Sequence, residues 1–126
     1  KQYCKIRHSD GQMRYMTQSD FTNFFHRSKN NTKIFDLINS NKELYGSILL
    51  DVLDDGYSAV YSFFDPYSNK RGLGKNLILT TVKKLKEQKK SYLYLGYWIK
   101  DSKNMKYKSS FNNVEYFLNG QWKDKL

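Results

Sequence analysis

Residues 44–64 of the chain, LYGSILLDVLDDGYSAVYSFF, contain two runs of strand-forming residues separated by a turn. The first run, residues 44–53, is rich in Ile, Leu and Val, and the second, residues 57–64, is rich in Tyr and Phe. Such residues favour strands. Asp54-Asp55-Gly56 joins the runs, and Asp-Gly accepts the positive φ angles of a tight hairpin turn. We therefore predict two antiparallel strands at the centre of a sheet.

The flanking sequence predicts the remaining elements. Downstream of a loop, a helix to about residue 90 is predicted by an apolar stripe with lysines on the opposite side, made of Leu73, Leu77, Ile78, Val82 and Leu85. Upstream, Thr17 and Asp20 resemble a capping box that opens another helix. Further strands are predicted over 33–39 (an edge strand), 92–99 and 114–118, with a short helix or turn over 105–111. The expected fold class is α+β, a mixed, largely antiparallel sheet with flanking helices.

Length and composition restrict the class of protein. The chain has 126 residues, of which 17% are aromatic, so it is long enough for one domain with a substantial core. No apolar run is long enough to cross a bilayer, so no membrane partner is expected. The single cysteine, Cys4, excludes an internal disulfide and a Cys-only zinc site, and fits a reducing cytoplasm.

Positive charge is concentrated in the second half of the chain. Residues 64–126 contain 14 basic and 5 acidic residues, whereas residues 1–63 contain 8 and 7. A basic surface attracts phosphate polyanions, although surface lysines are also ordinary solvating residues. The asymmetry between the halves favours a nucleic-acid partner.

The loop before the long helix contains Arg71-Gly72-Leu73-Gly74. Glycines let an anion approach the unpaired N–H groups of a helix N-terminus, and an arginine adds a bidentate phosphate ligand. The segment is not a P-loop, because the Gly-Lys-[Ser/Thr] pattern is absent. A phosphate-binding turn and a plain turn both remain open on local chemistry.

Four segments, in order, resemble the motif series of the aminoacyl-tRNA–protein transferases: residues 58–66 (SAVYSFFDP), 71–74 (RGLG), 94–99 (YLGYWI) and 105–111 (MKYKSSF). The family pattern reads SAVY-F-DP, RSLG, YLGYWI and MxYKxxF, so Gly72 stands where the family has serine. Further matches are Tyr3, Arg7-His8, Asp10-Gly11 and Met13. Gly120 and Trp122 resemble the bacterial branch, the aspartate/glutamate leucyltransferases.

The resemblance implies a GNAT-like fold, that of the acyl-CoA N-acyltransferases. It implies that residues 1–126 are a single C-terminal transferase domain, without the family's N-terminal Cys-containing part. The implied activity is transfer of leucine from leucyl-tRNA to an N-terminal Asp or Glu of a target protein, which marks that protein for degradation. Neither a metal nor a cofactor is implied for this chain.

The resemblance also implies roles for individual residues. Asp65, Tyr97 and Lys108 are the candidate catalytic residues, and Arg7 and His8 are candidates for binding the acidic acceptor. Candidates for holding the tRNA end and the aminoacyl group are Tyr61, Arg71, Gly72, Gly74, Tyr94, Trp98 and Tyr107.

Three alternative functions remain open from the sequence. Arginyl transfer uses the same fold and donor chemistry but needs a buried acid for the arginine side chain, and Asp65 keeps that possibility open. An ordinary acetyl-CoA N-acetyltransferase predicts saturable CoA binding. A non-catalytic tRNA-binding module predicts salt-dependent binding without product.

Overall fold

The computed structural model describes residues 2–7, 15–26, 31–68 and 72–124. By its internal contacts the chain divides into two compact units, Lys1–Gly96 and Tyr97–Leu126. The first unit contains α1 (Gln2–Arg7), α2 (Gln18–His26), β1 (Thr32–Ile38), β2 (Leu44–Val52), β3 (Gly56–Phe64), α3 (Leu73–Glu87) and β4 (Tyr92–Tyr94). The second contains a 3₁₀ helix (Lys106–Ser110), β5 (Tyr116–Leu118) and β6 (Gln121–Lys123).

The first unit is built on a four-stranded sheet in the order β1-β2-β3-β4. β2 pairs antiparallel with both β1 and β3, and β4 pairs parallel with β3. Helix α3 connects the parallel pair. The α+β class, the central hairpin and the edge position of β1 are therefore confirmed.

The core lies between the sheet and α3. Leu73, Leu77, Thr81 and Leu85 follow each other at intervals of four residues, so they share one helix face, and all four are buried. They are complemented by the buried strand residues Ile48, Leu49, Leu50 and Tyr57. Four members of the predicted apolar stripe are buried, including Ile78, whereas Val82 is half-buried and Thr81 was not predicted.

Helix α2 begins with the predicted capping box. The backbone N–H of Asp20 donates to Thr17 Oγ1 at 3.1 Å, and the backbone N–H of Thr17 donates to Asp20 Oδ2 at 2.9 Å. Hydrogen bonds from the side chain and backbone of Thr17 lower the pKa of Asp20. The shorter acid therefore completes the reciprocal pair that glutamate usually makes.

Two strand predictions were wrong in extent. The strand expected over 92–99 ends at Tyr94, because Gly96 turns the chain with φ +72°. The strand expected over 114–118 spans only Tyr116–Leu118 and is followed by β6, which was not predicted. Asn119 and Gly120, at φ +52° and +79°, form the two-residue hairpin turn that joins β5 to β6. Among the described segments, no helix has the length and apolar character needed to cross a membrane.

Candidate functional site

A turn at Gly72 leads into helix α3, whose N-terminus has no side-chain cap from any residue that the structure describes. Gly72 has φ +79°, a left-handed conformation that glycine adopts without steric cost. The N–H groups of the first turn carry the positive end of the helix dipole. No acidic residue in that turn compensates this charge. No heavy atom of the described residues lies within 4 Å of the place a Cβ would take at Gly72. The described residues therefore leave the space on this side of Gly72 unfilled.

Gly74 has a different environment from Gly72. A Cβ at Gly74 would lie 3.2 Å from Cε1 of Phe64, at the end of β3. The Phe64 ring meets the ring of Tyr3 in α1 edge-on, with centroids 4.9 Å apart. Gly74 thus allows the first turn of α3 to approach the end of the central strand closely.

Tyr61 lies in the second half of β3 and contacts α1. Its hydroxyl is 3.4 Å from Sγ of Cys4. Burial and, to a lesser degree, the contact with Cys4 raise the pKa of Tyr61 well above its ordinary value of 10.0. The phenol is therefore protonated at neutral pH and suited to hydrogen bonding rather than to acting as a base.

Asp65 follows β3 directly and is exposed. Its backbone N–H donates to the carbonyl of Tyr45 at 2.8 Å, and its Oδ1 accepts from the backbone N–H of Tyr67 at 2.9 Å. This is the geometry of a turn-capping aspartate. The carboxylate lies in the connection between β3 and the N-terminus of α3.

Tyr94 lies toward the other end of β3. It pairs with Ser58, and its hydroxyl donates to Oδ2 of Asp55 in the β2–β3 turn at 2.7 Å. Ser58 and Phe64 are six positions apart in β3, about 20 Å along an extended strand. The structure therefore ties Tyr94 to the hairpin turn and does not bring it to Asp65 or Gly72.

The second unit contains a half-buried lysine and tyrosine in the 3₁₀ helix. Lys108 Nζ donates to the backbone carbonyl of Tyr97 at 3.0 Å, whereas the Tyr97 ring is 79% exposed. Burial lowers the pKa of Lys108 and raises that of Tyr107. The Tyr107 ring packs edge-on against Phe111, with centroids 6.3 Å apart.

Trp98 packs its indole against the ring of Tyr116 in β5, with centroids 5.4 Å apart. Its Nε1–H is buried and has no hydrogen-bond partner among the described residues. Trp98 therefore joins the segment after β4 to the β5–β6 hairpin.

The candidate residues thus divide between the two units. Tyr61, Asp65, Gly72, Gly74 and Tyr94 belong to the first, and Tyr97, Trp98, Tyr107 and Lys108 to the second. Arg71 and His8 lie outside the described residues, as do Asp10, Gly11 and Met13, and Arg7 ends α1. No group of three or more His, Cys, Asp or Glu capable of holding a metal occurs in the described segments.

Two contacts were missed in the sequence. The Cys4–Tyr61 and Tyr94–Asp55 contacts join residues 57 and 39 positions apart, and no local pattern indicates either. The β5–β6 hairpin had a readable signal, because Asn-Gly is typical of a two-residue hairpin turn.

Comparison of the sequence with known protein families identifies the family of this chain. The family model described as arginine-tRNA-protein transferase, C terminus, matches residues 1–118, and the chain belongs to this family. The structure resembles that of a tetramutant of the BH1408 protein from Bacillus halodurans, with a TM-score of 0.51 and 9% identity over 86% of this chain and 76% of that one. This second likeness concerns the fold alone.

Several curated relatives are named aspartate/glutamate leucyltransferase. The chain is 39% identical to that of Saccharophagus degradans over 120 residues, 95% of this chain and 51% of the relative. It is 39% identical to that of Nitrosococcus oceani over 97% of this chain and 51% of the relative, and 37% identical to that of Acinetobacter baumannii over 98% and 45%. The chain therefore spans about half the length of the curated relatives it matches.

Proposed function

We propose that this chain is the GNAT-like C-terminal transferase domain of an enzyme that moves leucine from leucyl-tRNA to an N-terminal Asp or Glu of a protein. The observation that carries the proposal is the 37–39% identity, over nearly the whole chain, to relatives named aspartate/glutamate leucyltransferase. The new N-terminal leucine would mark the protein for degradation through the N-degron pathway. We propose the cytoplasm as the location.

The reaction is aminolysis of an ester. The α-amine of the acceptor attacks the leucyl carbonyl carbon and loses a proton, the bond from that carbon to the ribose oxygen breaks, and the ribose hydroxyl leaves protonated. About a tenth of an α-amine is neutral at pH 7, so little base strength is required. Positioning and stabilisation of the oxyanion supply most of the acceleration.

The N-terminus of α3 is proposed to hold the end of the tRNA. Its uncapped N–H groups, the open space at Gly72 and the absence of an acid in the first turn all favour a phosphate there. Arg71 would add a bidentate contact. Gly74 contributes by letting the helix approach Phe64, which supports a positioning role for it.

Lys108 is proposed to stabilise the oxyanion. A half-buried ammonium is screened less by water than an exposed one, so its charge acts more strongly on a nearby oxyanion. The bond to the Tyr97 carbonyl orients Nζ. Tyr61, Trp98 and Tyr107 are each proposed to contact the leucyl group or the terminal adenine, whereas the bond from Tyr94 to Asp55 supports a structural role for Tyr94.

The acceptor is proposed to meet Asp65, Arg7 and His8. Asp65 would orient an α-ammonium group, because its carboxylate is exposed in the connection between β3 and α3. Arg7 and His8 would contact the acidic side chain of the acceptor.

Arginyl transfer is the second candidate, because the family description names arginine. An arginyl pocket requires a buried acid to compensate the guanidinium. Asp65 is exposed and caps a turn, which supports leucyl over arginyl specificity.

The test is transfer of radiolabelled leucine or arginine from charged tRNA to peptides that begin with Asp, Glu or, as a control, Ala. It uses the protein at its natural length, with residues 1–126 assayed in parallel. Incorporation from leucyl-tRNA alone, into the acidic peptides alone, is expected. Incorporation from arginyl-tRNA would replace the proposal with the second candidate, and RNase-resistant acetylation from acetyl-CoA would reject both.

A further inference from the structure

The exposed side of α3 contains a row of lysines. Lys75, Leu79, Lys83 and Lys86 follow spacings of four, four and three residues, so they share one helix face, and all four are exposed. This face, called the outer face below, is opposite the buried row that begins at Leu73.

The lysines of the α3 region differ in their contacts. Lys84 forms an ion pair with Glu87 at 3.0 Å, and Lys90 Nζ donates to the carbonyls of Leu53 and Asp54. The structure gives Lys75, Lys83 and Lys86 no ion pair with a carboxylate of the described residues. The outer face is therefore basic, and the one acidic residue of α3, Glu87, is ion-paired with Lys84 and not with the three lysines of the face.

Two local arrangements on the outer face are unfavourable without an anion. Lys75 lies in the first turn of α3, where a cation opposes the helix dipole. Lys83 and Lys86 are like charges three residues apart on one helix, which repel. A polyanion bound along the face would relieve both.

The charge of the first unit is divided between its layers. Residues 31–68, which form β1–β3 and their turns, contain six acidic residues and two lysines, whereas residues 72–96 contain six lysines and one acidic residue. The sheet layer would repel a polyanion, and the outer face would attract one.

We propose that the outer face of α3 binds the phosphate backbone of the acceptor arm of the tRNA. This inference rests on the proposed function, in which the tRNA end lies at Gly72. Lys75 is three residues from that end, and Lys86 is about 16 Å further along the helix axis. The row therefore extends along α3 from the proposed site of the terminal phosphate. Its lysines are spaced so that they can contact further phosphates of the acceptor arm.

The test compares two triple variants with the same change in net charge. Lys75→Gln/Lys83→Gln/Lys86→Gln removes the three positive charges of the outer face. Lys42→Gln/Lys84→Gln/Lys89→Gln removes three other exposed lysines and is the matched control. Binding of uncharged leucine tRNA is measured from 50 to 200 mM KCl with the protein at its natural length, and thermal melts verify that both variants fold.

The slope of log Kd against log salt is expected to become shallower by about 2 to 3 in the outer-face variant, and Kd at 100 mM KCl to rise at least about tenfold. The control is expected to stay within about twofold. Equal slopes in the two variants would overturn the inference and leave the proposed function standing. Binding to vesicles of anionic lipid is measured in parallel. If the outer-face variant loses vesicle binding but keeps tRNA binding, the inference is overturned in favour of a membrane surface. Failure of the unmodified protein to bind tRNA would reject both proposals.

Discussion

The ring of Phe64 lies against Gly74, so close that a Cβ on the glycine would stand 3.2 Å from Cε1. The same ring also packs edge-on against the ring of Tyr3 in α1, with centroids 4.9 Å apart. Phe64 therefore contacts both α1 and α3. The close approach keeps the N-terminus of α3 beside the end of β3, where the end of the tRNA is proposed to bind.

Gly74→Ala is expected to lower the free energy of unfolding by about 1 kcal/mol, because the added methyl group forces Phe64 or α3 to shift. In a Phe64→Ala background the clash is absent, and alanine is the better helix former, so Gly74→Ala should be neutral or stabilising by up to about 1 kcal/mol. Urea denaturation of the four proteins measures the coupling. Equal effects of Gly74→Ala in both backgrounds would contradict this account of the contact.

Gly72 is expected to tolerate only residues that accept a left-handed backbone. Gly72→Ala and Gly72→Ser, the latter restoring the serine of the family pattern, should each lower the free energy of unfolding by about 1 to 2 kcal/mol. Gly72→Asn should cost less, since Asn113 and Asn119 already adopt positive φ in this chain. Urea denaturation tests the order, and a loss for asparagine as large as that for alanine would show that φ is not the cause.

Tyr94→Phe separates a structural from a substrate-binding role. Loss of the hydroxyl that donates to Asp55 is expected to lower the free energy of unfolding by about 1 kcal/mol. The KM for leucyl-tRNA should not change, because Tyr94 is tied to the β2–β3 turn. Steady-state kinetics beside urea denaturation provide both values. A raised KM with unchanged stability would instead indicate that Tyr94 contacts the aminoacyl-tRNA.

Local patterns predicted the parts of the fold that local interactions determine. The capping box of Thr17 and Asp20 and the hairpin connection between β2 and β3 each depend on residues a few positions apart, and both are present. The positive φ expected of Asp-Gly in that turn was wrong, because Gly56 is already the first residue of β3 and has no positive φ. The buried row of α3 follows from a spacing of four residues. The turn before α3 was likewise expected from the glycines of the loop, and whether it binds a phosphate stays a prediction.

The remaining features depend on backbone angles and distant contacts. The strand at residue 92 was expected to continue through Ile99, because the apolar run continues, but the positive φ of Gly96 ends it. The role of Tyr94 depends on Asp55, and the high pKa of Tyr61 depends on burial and Cys4, 57 residues away. Such pairings have no signature in a single sequence, so a motif identifies the residues without revealing which ones hold the fold.

Lys108 provides the sharpest test of the proposed chemistry. Its ammonium is half-buried, and burial lowers its pKa below the ordinary 10.5. Lys108→Met removes the charge and keeps the length, so we expect kcat to fall about a hundredfold, as for loss of an oxyanion donor. The free energy of unfolding should change by no more than about 1 kcal/mol, since the lost bond to the Tyr97 carbonyl is offset by relief of desolvation.

The pH dependence of kcat distinguishes a charged from a structural lysine. If the ammonium form is the active one, kcat is retained below the pKa of Lys108 and declines as the pH rises through it, earlier than for an exposed lysine. Lys108→Arg keeps its charge throughout this range, so the alkaline decline should disappear even if the absolute rate is lower. The pH dependence of the transfer rate is measured for both proteins by single-turnover transfer from leucyl-tRNA between pH 7 and pH 9.5, corrected for ester hydrolysis. The same alkaline decline in both proteins would assign the titration to another group and remove Lys108 from the oxyanion role.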